Sequence, residues 1–191
     1  MVSSPAFTGA EPVFTTSGKH KGNTFFQKEQ NLGLELMQSL SAEQQEKAII
    51  GPKESENIIA AAYSDNVIVD YAGIKVSELS VEQKAQLLDL IAEYVSNMPD
   101  GHAAIRMDEV KAHLDNSWFA WRGTVLNDSI FYYRVQSPVI LIEFDHQGPV
   151  GVKSPDGSRD ATRNHIHTML RTPNGNDYGK DLLRQHLEAQ H

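Results

Sequence analysis

Two histidines set two apart, an arginine four residues later, and an aspartate–tyrosine pair just beyond crowd into the fifteen residues from His165 to Gly179. On a strand, His165 and His167 project from one face, the disposition that two imidazole ligands of a first-row divalent ion need. Glu143 and Asp145 repeat that spacing in the apolar run before them, and would face the histidines if the two strands pair. His165, His167 and Glu143 then make the two-histidine, one-carboxylate set of non-haem iron sites, which zinc or manganese also accepts. Arg171 shares a strand face with His167 and is suited to clamp a small acidic molecule through two parallel hydrogen bonds. Asp177 and Tyr178 complete the catalytic candidates, although Asp177 also stands where the cap of a final helix belongs. Trp118, Trp121, Arg122 and Arg134 are candidates for a substrate-binding wall.

Each of these readings has a plainer rival. Glu143 or Asp145 pairing with Arg122, Arg134 or Arg171 would be a half-buried structural network with no metal in it. The tryptophans fit packing of a core and its edge better than a ligand wall. A third reading keeps an enzyme without a metal, with His165 or His167 as general base. His146, just past the acidic strand, is a reserve ligand, while His102 and His113 lie on or near one face of a helix and read as solvated.

The remaining inventory narrows the chemistry. The chain has 191 residues and no cysteine, so disulfides, thiolate metal sites and cysteine nucleophiles are excluded. Its net charge of -8 argues against nucleic acid or an anionic membrane as the main partner and leaves a small-molecule ligand. No run of 18 apolar residues and no basic-then-apolar leader occurs, so a cytoplasmic location is the default expectation. There is no Gly-x-Ser-x-Gly elbow, Walker loop, dinucleotide fingerprint or His-Glu-x-x-His helix.

The elements that must position these groups follow in order. Residues 1–23, broken by Gly9, Gly18 and Gly22, read as an extended or irregular arm, and 24–191 as one domain. A helix is expected over 24–40, with Gly33 as its weak point. Ser41-Ala42-Glu43-Gln44 has capping-box spacing and opens a short helix that Gly51-Pro52 stops. Ser80-Val81-Glu82-Gln83 repeats the device at the head of the longest helix, 81–98, and the echo reads as two independent helix starts. A short strand is expected over 66–70, a helix over 103–116, and an antiparallel meander over 117–123, 129–135 and 139–145. A polar connection leads to a last strand, 165–171, and a helix over 178–189. Helices first and strands later is the order of an α+β fold with an antiparallel sheet.

The runs Trp118 to Gly123, Phe131 to Val135, Ile142 to Asp145 and His165 to Gly179 resemble the C-terminal half of the family catalogued as domain of unknown function 3500. Pro5-Ala6-Phe7-Thr8-Gly9-Ala10-Glu11-Pro12 resembles a segment near the middle of its longer members. The resemblance supplies no activity. It implies a longer architecture whose N-terminal half carries an Asp-Gly-His-His stretch without a counterpart here, and hence a site shared between halves or apolar surface buried by homo-oligomerisation.

Overall fold

The computed structural model describes residues 5–54, 57–60, 67–152, 156–173 and 177–189. The expected α+β order is found. Strand β1 (Ala6–Ala10) precedes helices α1 (Gln27–Ser39) and α2 (Ala42–Ala48) and strands β2 (Ile49–Gly51) and β3 (Ile74–Lys75). Helices α3 (Val81–Val95) and α4 (Asp100–Ala112) lead into β4 (Trp118–Gly123), β5 (Phe131–Gln136), β6 (Leu141–His146) and β7 (Ile166–Arg171), and α5 (Lys180–Ala189) follows. The strands form one sheet in the order β1-β7-β6-β5-β4-β2, with β3 also on β4, antiparallel except where β2 meets β4. No helix among the described residues is long and apolar enough to cross a membrane.

Alternation along the strands sorts the sheet into two chemically different faces. Phe119, Trp121, Phe131, Tyr133, Val135, Ile142, Phe144 and Ile166 join Leu36 and Met37 of α1 and Leu87, Leu90, Ile91 and Val95 of α3 in the apolar core. The other face carries Tyr132, Arg134, Gln136, Glu143, Asp145, His167 and Arg171. In register, Arg134 is opposite Glu143 and Asp145 opposite His167.

Two local devices set the helix layer. Gly33 interrupts the helix former pattern of α1 because Tyr133 lies against it: a Cβ there would sit 2.3 Å from Tyr133 Cε1. The weak point of α1 is therefore a point of close contact with the sheet. The two capping boxes form as their spacing demands, but they are not independent. Gln44 Nε2 donates to Gln83 Oε1 at 3.1 Å and Gln83 Nε2 to Gln44 Oε1 at 3.0 Å, which fastens the start of α2 to the start of α3.

The short strand expected over 66–70 does not form. Asn66 is outside the described residues, and Val67 to Asp70 belong to no ladder. The carbonyls of Val69 and Asp70 instead accept side-chain hydrogen bonds from Gln136 and Arg134 on the polar sheet face. The β-branched run covers the sheet rather than extending it. The arm contributes more than irregular chain, since Ala6–Ala10 pairs with β7 along its whole length.

Candidate functional site

The polar face is covered by the chain that leaves β2, and the groups holding it down are mostly those whose types suggested catalysis. Glu143 is fully buried, and its two oxygens accept three hydrogen bonds. Ile59 N donates at 3.0 Å and the Tyr132 hydroxyl at 2.6 Å to Oε1, and Ala60 N donates at 2.7 Å to Oε2. Arg171 Nη1 donates to the Ala60 carbonyl at 2.8 Å, so both backbone polar groups of Ala60 are held from the sheet. Asp145 Oδ2 accepts from Asn57 N at 2.8 Å and Gln147 Nε2 at 3.2 Å, while Lys53 Nζ lies 3.0 Å from Oδ1. Burial raises the Asp145 carboxyl to about 6, outweighing the Lys53 charge and the Asn57 amide that pull it down. Arg134 Nη2 donates to the Asp70 carbonyl at 2.8 Å. These side chains recognise backbone, which satisfies peptide groups laid over a sheet face with no strand to pair with.

This arrangement corrects two expectations. Glu143 shares the histidines' face, but its oxygens are committed to Ile59, Ala60 and Tyr132 rather than to an ion. Arg171 is buried, and its Nη1 is engaged by the Ala60 carbonyl rather than presented on an open surface among the described residues. Among the described residues, no three histidines, aspartates or glutamates converge as a metal-holding group.

The histidines themselves do meet. His165 Nε2 and His167 Nε2 are 3.0 Å apart with the rings at 87°. His165 Nδ1 lies 2.6 Å from the Gly148 carbonyl and so carries the proton. Its Nε2 then bears the lone pair in the neutral ring. The segment supplying that carbonyl is tied to the arm, because the Glu11 carboxylate accepts from the amides of Val150 and Val152. Burial pushes that carboxyl up, but the Gly151, Val152 and Val150 amides outweigh it and hold it below its usual value. Phe7 meets the His167 ring edge-on at 4.9 Å. Gly9 lies opposite His167 in register, and a Cβ there would fall 2.4 Å from its Cδ2. The bare glycine gives the imidazole room to lie across β1.

The other candidates scatter. Trp118 stacks on Tyr71 at 4.2 Å with Lys75 over its ring, on the polar side. Trp121, three residues on, faces the opposite way and is sealed in the core against Phe131 at 4.4 Å. Arg122 is half-buried beside Gly51. The single binding wall expected from Trp118, Trp121, Arg122 and Arg134 is therefore not assembled, since strand alternation separates Trp121 from the rest. Tyr178 is 57% exposed at φ 59° in the turn Asp177–Gly179, and the side chain of Asp177 lies outside the described residues. His146 is not a reserve ligand, because it points into the core. Its Nδ1 accepts from Phe131 N at 3.0 Å and its Nε2 donates to Gln30 Oε1 at 2.9 Å. Burial, and the Arg163 charge after it, lower its pKa to about 3.

Sequence reasoning missed Lys53, Asn57, Ile59 and Ala60. The last two act through backbone alone, which leaves no residue-type signature. The pair Gly51-Pro52 did mark where the chain departs from β2.

The chain belongs to the family described as protein of unknown function DUF3500, whose model matches residues 1–180. No curated protein and no solved structure matches it.

Proposed function

We propose that this member of the DUF3500 family is a metal-binding module for a small acidic ligand, centred on His165 and His167. The observation that carries the reading is the 3.0 Å separation of the two Nε2 atoms, with the far side of His165 fixed on the Gly148 carbonyl. Metal-binding histidines are typically oriented by such a bond from the other ring nitrogen to a carbonyl. Two nitrogens about 2.0–2.1 Å from one ion, as in zinc–imidazole bonds, are separated by close to this distance when they lie side by side. Iron, manganese and zinc all suit imidazole, and the positions that protein does not fill would be open to ligand oxygen. Glu143, Asp145, Arg134 and Arg171 serve in this reading as the frame that keeps β6 and β7 in place.

Read without a metal, the same contact is a hydrogen bond from one neutral imidazole to the other, the arrangement a general base would use. The test is zinc and manganese titration by calorimetry, on protein without an affinity tag, beside melting temperatures. His165→Ala and His167→Ala should abolish binding with little loss of stability, whereas Glu143→Gln should lower the melting temperature and keep the metal. Wild type that binds neither ion, or binding that survives His167→Ala, overturns the proposal.

A further inference from the structure

On the opposite, helix-facing side of the sheet lies a cavity of about 310 Å³. Thr8 of β1, Thr168 and Leu170 of β7, Phe26 and Glu29 at the start of α1, and Tyr94 and Asn97 at the end of α3 line it, with Ala6. It is separate from the histidine pair, since alternation turns Thr168 away from His167. None of its described lining residues is basic. Lys28 belongs to an adjoining hollow that shares Glu29 and Phe26, where it lies 3.6 Å from Glu93.

The proton inventory of the wall determines what it accepts. The single hydroxyl proton of Tyr133 goes to the Glu29 carbonyl at 3.0 Å. The 2.6 Å contact between Tyr94 and Tyr133 must then be a donation from Tyr94, which leaves the Tyr94 oxygen with lone pairs and no proton to offer. Asn97 Nδ2 is directed at the carbonyls of Tyr94 and Glu93, at 3.2 and 3.5 Å, so its remaining polar atom is an acceptor. Thr8 and Thr168 share one proton between their hydroxyls at 2.7 Å and keep one more. With the Glu29 carboxylate added, the wall is rich in acceptors and nearly without donors. Burial, and the Glu93 charge after it, raise the Glu29 pKa, and the backbone hydrogen bond and the Lys28 charge offset this only in part.

We propose that this cavity binds a small primary ammonium ion with an aliphatic body. Its N–H groups would sit on Glu29 and the Tyr94 oxygen, and its carbons against Ala6, Phe26 and Leu170. Three tetrahedral N–H donors match several separate acceptors, and the cation meets the Glu29 carboxylate on a wall whose lining is otherwise uncharged. Anions are disfavoured because the described wall holds no cation to meet them.

The test titrates the whole chain with n-butylammonium, 1-butanol and butyrate, followed by amide NMR shifts and calorimetry. Butylammonium should saturate at millimolar concentration and shift the amides of Thr8, Glu29, Asn97 and Thr168. The alcohol should bind about tenfold more weakly or worse, and butyrate not at all, since hydrogen bonds to a charged group are stronger than those between neutral groups. Glu29→Gln and Tyr94→Phe should each weaken butylammonium about tenfold, with Glu43→Gln on the exposed side of α2 as a neutral control. Thr168→Val is a milder variant that reads the same site if Glu29→Gln does not fold. Shifts scattered over the surface, equal binding of the alcohol, or no saturation in wild type overturns the proposal.

Discussion

Glu143→Gln separates a structural carboxylate from a ligating one, and its cost follows from the geometry. The best placement of the amide keeps its oxygen on Ile59 N and the Tyr132 hydroxyl, at 3.0 and 2.6 Å in wild type. Its NH2 then faces the Ala60 amide, which donates at 2.7 Å to the second carboxylate oxygen of the native residue. Two donors oppose each other in a site with no solvent access. Losing one charge-assisted bond costs about 1.5–3 kcal/mol, and a buried N–H left unsatisfied adds roughly 1–3 kcal/mol. A total near 4 kcal/mol corresponds to a fall of roughly 10 °C in melting temperature for a domain of this size. Part of the loss should be local. Hydrogen exchange at Ile59 and Ala60 should speed up more than exchange in α3, because residues 57–60 undock before the core opens. A melting temperature within a degree of wild type, with exchange at Ile59 and Ala60 unchanged, would refute the assignment of Glu143 as the anchor of that segment.

Gly33→Ala would place a methyl 2.3 Å from Tyr133 Cε1, so unfolding in urea should show a loss of at least about 2–3 kcal/mol where a helical glycine-to-alanine change ordinarily stabilises. Gly9→Ala should displace the His167 ring and weaken zinc binding about tenfold or more, and unchanged calorimetric affinity would contradict the role given to that glycine. Removing Gln44 and Gln83 together should cost less than the sum of the single alanine variants, with a coupling of about 0.5–3 kcal/mol in a double-mutant cycle; strict additivity would show that the reciprocal amide pair contributes nothing. His146 stays neutral in the fold down to about pH 3 but takes a proton near pH 6.5 once unfolded, so its contribution is present above pH 6.5 and is lost as pH falls towards 3. The stability gap between wild type and His146→Gln should therefore shrink across that window in urea titrations, and a gap independent of pH would contradict the buried neutral ring. Asp145 has the opposite sign: its pKa is raised to about 6, so its contribution is present below the unfolded value near 3.9 and disappears as pH rises through 6.

Local patterns were sufficient for much of this protein. Alternation of β-branched and aromatic residues marked the meander from Trp118 to Asp145, and serine followed three residues later by glutamine marked the starts of α2 and α3. Both are rules of nearest neighbours along the chain, so they survive without knowledge of the fold. The sequence also determined that His165 and His167 leave one face of a strand together. What the tertiary structure decided was the company each side chain keeps. Strand alternation sent Trp121 and His146 into the core and left Trp118 outside. Packing turned Gly33 from a weakness into the contact surface for Tyr133. Glu143 and Arg171 carry ligand-like chemistry, yet a distant stretch of backbone around Ala60 occupies them, because amides laid across a sheet face must be satisfied by something. Backbone groups are the same at every residue, so no sequence pattern announces where they will be received.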